Sequence, residues 1–166
     1  MLENFHNFGH TLLLVRHSDA FTVYKAVEAS WECKMEQVVK KICLDGAKEL
    51  TESVFYAYTE SCGIIHQVTM LYTHSQNGKI ECYLRTLEET VQMLMADSAL
   101  PPTFYGDAVL TAQYIRNCVP TSTLPTLQTP YEGMEGSKPD LSHLWVWGCQ
   151  CFLLIPQEIC TKGGLK

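Results

Sequence analysis

The chain has 166 residues, 46% of them hydrophobic, with 18 acidic against 12 basic side chains and a formal charge of −6. That composition supports one buried core and excludes a disordered chain, and it argues against a broad basic surface for nucleic acid, which needs clustered Lys and Arg. The longest apolar runs, TLLLV and CFLLIP, fall far short of the ~20 residues of a bilayer span, and no charged start leads into an apolar stretch, so a soluble, intracellular protein with no membrane partner is expected.

In chain order, residues 11–15 (TLLLV) read as a strand and residues 21–27 (FTVYKAV) as its hairpin partner across the polar RHSDA. A short helix is expected over 35–41, then a brief strand, ICL, that ends on Asp45-Gly46. Thr51 can cap a helix whose apolar face is Val54, Phe55 and Tyr58, and Gly63 stops it. IIHQVT then returns as a strand. Residues 75–78 (SQNG) read as a turn into an amphipathic helix marked by Leu84, Leu87, Val91 and Leu94, with Glu81 on its early turns. Pro101-Pro102 breaks the chain. TFYGDAVLTAQYIRN follows as a helix with Phe104, Ala108, Ala112 and Ile115 inward, ended by Pro120. PTSTLPTLQTP is a loop, and LWVWG and CQCFLLIP read as two final strands. Strand and helix alternate in this way in an α/β domain with a central mixed sheet flanked by helices.

Eight cysteines in a chain this apolar, with no secretory leader, read as reduced thiols. Cys62, His66, His74 and Cys82 form the one tempting zinc set, but no pair among them has the two-residue gap of a zinc knuckle. The other notable chemistry is acidic. Asp45 ends a strand and Glu81 follows after 35 intervening residues of helix, strand and turn, an order that can bring both acids to one sheet edge. Carboxylates meeting there would bind Mg²⁺ or Mn²⁺ through hard oxygen donors, and a metal pair ~3.5–4 Å apart supports in-line phosphoryl displacement. Taken on spacing alone, solvated surface acids are the commoner reading. Glu49, Glu88 and Glu89 are read that way, and Lys79 and Arg85 either touch phosphate or stay solvated or ion-paired.

Residues 41–160 resemble the integrase core of copia-type LTR retrotransposons, within the ribonuclease H-like superfamily of retroviral integrases. The resemblance runs in order through LDGAKEL, CGIIHQVTMLYTHSQNGKIE, LRTLEETVQML, LPPTFYGDAVLTAQYIRNCVPTS, TPYEGMEGSKPDLSHL and VWGCQCF. It implies a ribonuclease H-like fold and Mg²⁺- or Mn²⁺-dependent strand transfer of element DNA into target DNA in the nucleus, by a domain able to form a homo-oligomer. Asp45 would be the second metal-binding acid and Glu81 the third; Asn77 and Gly78 would shape the turn presenting Glu81, and Asn77, Lys79 and Arg85 would contact nucleic acid.

The chain departs from this pattern in two ways. Where the family has one or two Asp after a valine of the first strand, Val15 is followed by Arg16 and His17; the nearest carboxylate is Asp19, with only 25 residues between it and Asp45. Where the family usually has Arg, this sequence has Cys43, Cys82, Cys118, Trp145 and Cys160, each one C-to-T change from an Arg codon beginning CG, and His74 stands where Pro is usual. The family's N-terminal zinc module has no counterpart after His6 and His10. The expected organisation is an unassigned segment 1–10, a shortened core 11–119 and an extension 120–166. The expected function is that of an integrase core, inactive in this copy. The alternative is a non-catalytic nucleic-acid-binding or protein-interaction domain on the same fold.

Overall fold

The structure, a computed structural model, describes residues 1–44, 53–68, 74–122, 124, 127–152 and 154. The first helix, α1 (Ala20–Met35), buries Tyr24, Val27 and Glu28, positions that recur at helical three- and four-residue steps. This overturns the expected hairpin: 21–27 is helical, and 11–14 carries no regular structure. The β-branched Thr22 and Val23 favour a strand locally, but burying the Tyr24 face outweighs that preference. Glu36, in the left-handed conformation at φ 51, closes α1, so the helix ends where another was expected to begin.

The sheet runs as anticipated from the ICL and IIHQVT segments. Strand β1 (Lys41–Leu44) pairs in parallel with β2 (Ile65–Val68), with Lys41 opposite Ile65 and Leu44 opposite Val68. Parallel neighbours need a crossover, and α2 (Ser53–Ser61) supplies it. Its end is set by Gly63 at φ 71; the N-cap expected at Thr51 lies outside the described residues. Tyr24 of α1, Leu44 of β1 and Phe55 of α2 form one core cluster, with Phe21, Ile42 and Tyr58 against it. Val54, expected inward, faces solvent.

Glu28 sits within the α1–α2 contact. Buried, it accepts hydrogen bonds from the Tyr24 hydroxyl at 3.0 Å and the Tyr58 hydroxyl at 2.8 Å. A carboxylate costs free energy on leaving water unless its oxygens are bonded, and these two phenols meet that need across the helix pair.

Helix α3 (His74–Ser98) begins just before the SQNG segment read as a turn and runs through it, so that turn is replaced by helical backbone. Its inner face is Tyr83, Leu87 and Val91, with Ile80 and Leu94 alongside, whereas Leu84, expected inward, is exposed. After a 3-10 turn at Pro102–Phe104 comes α4 (Tyr105–Cys118). Ala108 and Ala112, fully buried, pack against Tyr83, Leu87 and Val91 to form the second core cluster; alanines there let two helices approach closely. Phe104, expected inward, is exposed, and Ile115 is half-buried.

One further helix, α5 (Pro130–Glu135), was not expected. The Thr129 side chain accepts from the Glu132 amide, the Glu132 carboxylate accepts from the Thr129 amide, and Gly136 ends the helix in the left-handed conformation. The same bonds from Thr129 hold the Glu132 carboxyl below its usual range. An ion pair from Lys34 to Glu135 ties α5 to α1. Thr129→Ala should lower the unfolding free energy by about 1 kcal/mol, read as a shifted urea midpoint; an unchanged midpoint would place α5 outside the cooperative unit. The two strands expected at LWVWG and CQCFLLIP do not form over residues 144–152, where Trp145, Val146 and Phe152 are exposed rather than alternating in and out.

Candidate functional site at the strand ends and the start of α3

Because β1 and β2 are parallel, their C-terminal ends share one sheet edge, the usual place for a ligand in an α/β sheet. Asp45 directly follows Leu44 at that edge in the sequence, and lies itself outside the described residues. From the same edge the chain passes from β2 to α3, on which Glu81 is the eighth residue, about 10 Å along the axis from the helix start. Glu81 is exposed, on the face opposite Tyr83, Leu87 and Val91, which it shares with Cys82, Arg85, Glu88 and Glu89.

Asp19 occupies the N-cap position of α1 rather than a strand end. It is exposed, and the Ser18 hydroxyl donates to its Oδ1 at 3.4 Å. Among the described residues no three His, Cys, Asp or Glu side chains gather as a metal site.

Lys79 stands one turn before Tyr83, and its ammonium donates to the Asn4 Oδ1 at 2.7 Å and to the Asn4 carbonyl. Burial pulls its pKa down, with the Glu3 carboxylate opposing. Arg85 is exposed, with Nη2 3.9 Å from the Cys82 sulfur. Asn77 lies in the first turn of α3. Of the other positions where the resemblance led arginine to be expected, Cys43 and Trp145 are exposed and Cys118 is buried at the end of α4, while Cys160 lies outside the described residues. Burial raises the Cys118 thiol pKa, and a hydrogen bond with Tyr114 opposes this.

His66 belongs to β2 and is taken up structurally: its ring stacks on Tyr56 with centroids 4.5 Å apart, and its Nε2 meets the Thr59 hydroxyl. His74 begins α3 instead of lying in a loop.

A second polar constellation escaped the sequence reading. Asn117, fully buried in α4, accepts from the Gly9 amide through Oδ1 at 2.9 Å and donates from Nδ2 to the Gly9 carbonyl at 2.8 Å. Gln113 donates to the same carbonyl at 2.9 Å. The two amides are four residues apart, hence on one helix face, and that spacing is the only local signal. Their partner is 108 residues away from Asn117.

No protein-family model matches the chain. It is 32% identical over 150 residues, 90% of its length, to the retrovirus-related Pol polyprotein from transposon TNT 1-94 of Nicotiana tabacum, of which it spans 11%. In structure it resembles a chain of the simian T-cell lymphotropic virus intasome in complex with PP2A regulatory subunit B56 gamma. That likeness has a TM-score of 0.64 and 16% identity over 86% of this chain and 51% of that one. It also resembles the HTLV-2 integrase catalytic core domain in complex with magnesium (trimeric form), with a TM-score of 0.57 and 14% identity over 80% of each chain. No helix among the described residues is long and apolar enough to cross a membrane.

Proposed function

Because this chain belongs with the integrase cores of LTR-retrotransposon Pol polyproteins, we propose that it descends from a domain that transferred element DNA ends into target DNA in the nucleus, and that this copy does not catalyse the reaction. The observation that carries the second part is the setting of Asp19. The position where a first metal-binding acid would be sought is an exposed N-cap at the start of α1, not the end of a paired strand.

Asp45 and Glu81 remain as the donors at matched positions, and their hard oxygens suit Mg²⁺ or Mn²⁺. Bound there, such an ion would polarise a phosphoryl oxygen and lower the pKa of an attacking water or hydroxyl. The described residues alone do not make up that donor set, and no step of catalysis is assigned through it. Asn77 and Arg85, each four residues from Glu81 on α3, are groups proposed for phosphate contact; Lys79, two residues from Glu81 and bonded to Asn4, would have to leave that bond to join them, and with a net charge of −6 such contacts are few. Self-association, as in the trimeric form of the HTLV-2 core, is proposed for this chain as well.

Two measurements test this. Purified protein should give no strand-transfer product from labelled duplex ends in Mg²⁺ or Mn²⁺; robust product that Glu81→Gln abolishes would overturn the inactivity. Titrating Mn²⁺ should leave the melting temperature unchanged, whereas an ion at a hundred times its dissociation constant would add about 2.7 kcal/mol to stability.

A second reading, a non-catalytic interaction domain on the same fold, is favoured by the apolar surface after α5, where Trp145 is 84% and Phe152 88% exposed. Mobility shift with duplex DNA and RNA, with and without Mn²⁺, separates nucleic-acid binding from this reading.

A further inference from the structure

The segment 1–10 is held in the groove between α3 and α4 by a contact of unusual type. Leu2 and Gly9 form an antiparallel bridge, so the segment doubles back on itself, and Leu2 packs against the α3–α4 core. Asn117 and Gln113 bind the Gly9 amide and carbonyl and no side chain. They therefore read backbone, as an added strand is read in β-augmentation. A steric condition adds to this: a Cβ on Gly9 would lie 1.8 Å from the Tyr83 hydroxyl oxygen, so any other residue there would force the Tyr83 ring to move. On the far side, His6 lies against Gly133 of α5, and Asn4 receives Lys79.

Between this docked segment and α1 runs an apolar link. Residues 11–14 have no regular structure, although Leu12, Leu13, Leu14 and Val15 form a run of high β-propensity, and all four are exposed, Val15 by 94%. Fully extended, the five residues 11–15 reach about 17 Å. An irregular, exposed, strand-prone apolar link leading to a segment docked through its backbone has the attributes of a swapping hinge.

We propose that the α3–α4 groove is an exchangeable docking site whose occupant in trans is the 1–10 segment of a second copy of this chain, with residues 11–15 as the hinge. Exchange conserves the contacts of residues 1–10, because the incoming segment is identical and meets Asn117, Gln113 and Tyr83 in the same way, while the Thr11 amide bond to Gln113 and the Leu13 contact with Gly106 belong to the link and are released or remade. What changes is the link: in the exchanged dimer two copies of TLLLV run antiparallel past each other, able to pair as strands and to cover leucines that face water in the closed chain. The proposal does not depend on any catalytic history, since none of these groups is a carboxylate of the candidate metal site.

The experiment uses the full chain in two tagged forms, with a ten-residue peptide of residues 1–10 and a second peptide carrying Gly9→Val as probes. Light scattering should show dimer on concentration, and mixing the tagged forms should yield mixed dimers. Excess wild-type peptide should bind and dissociate them, while the Gly9→Val peptide should act at least about tenfold more weakly, because its side chain meets the Tyr83 ring. A chain monomeric at every concentration, mixed dimers that neither peptide disturbs, or two peptides of equal effect would each overturn the proposal.

Discussion

Phe55→Ala should lower the unfolding free energy by about 3–5 kcal/mol, the cost of emptying a phenyl site in a core that cannot fully collapse. Phe55 is 1% exposed and is met edge-on by four rings, with centroids at 5.9 Å for Phe21, 5.1 Å for Tyr24, 5.8 Å for His66 and 6.5 Å for the adjacent Tyr56. It thus joins α1, α2 and β2, and no one of those elements can close the gap without leaving another. Against the roughly 5–15 kcal/mol that holds a domain folded, the loss is about a fifth at the least, and a melting point some 10 °C lower follows at this chain length. The neighbouring Val54, 60% exposed on the same helix, supplies the control: Val54→Ala should stay within about 0.5 kcal/mol. Equal effects at the two sites would mean that the α1–α2 core is not packed as described.

The second large effect is expected at Asn117. Asn117→Ala removes both of its bonds to Gly9, leaving the Gly9 amide without its side-chain acceptor and the carbonyl with Gln113, which should cost about 1–3 kcal/mol. Asn117→Asp is the sharper probe. It keeps an acceptor for the Gly9 amide but sets a second oxygen against the Gly9 carbonyl, so it should destabilise at least as much as alanine despite its nearly unchanged shape. Hydrogen exchange at Gly9 and Thr11, whose amides point to Asn117 and Gln113, should quicken in both variants. Protection kept at Gly9 in Asn117→Ala would assign the docking of 1–10 to other contacts.

The parts of the fold that could be read from residue order are those whose signal is local and apolar. The Leu87, Val91 and Leu94 spacing marks α3, the ICL and IIHQVT runs mark the two strands, and Gly63 marks the end of α2. Helix α1 was misread for a physical reason. Its inner face includes Glu28, a charge whose partners, Tyr24 and Tyr58, are seen only once α1 meets α2; without that face, Thr22 and Val23 speak for a strand. Helix α5 did carry a local mark, Thr129 with Glu132 three residues on, but at six residues it lacks the length for a periodic pattern. At the candidate site, residue order supplied Asp45 and Glu81 as expectations and the parallel pairing of β1 with β2 supplied a sheet edge, whereas Asn117 derives its role from Gly9 at the other end of the chain.

The paired phenols around Glu28 carry a consequence for alkaline solution. Burial first, then the Glu28 carboxylate, raise the Tyr24 pKa, and the hydrogen bond to Glu28 raises that of Tyr58. In the unfolded chain both would ionise near the ordinary value of about 10. A phenol whose folded pKa lies above its unfolded one contributes stability that is complete below the unfolded value and is lost as pH climbs toward the folded one. Followed by phenolate absorbance, Tyr24 and Tyr58 should therefore stay protonated past the ordinary tyrosine range and then ionise together with loss of helical signal. The α1–α2 joint is thus expected to act as a fuse, base opening the helix pair as a unit rather than stripping its protons one at a time.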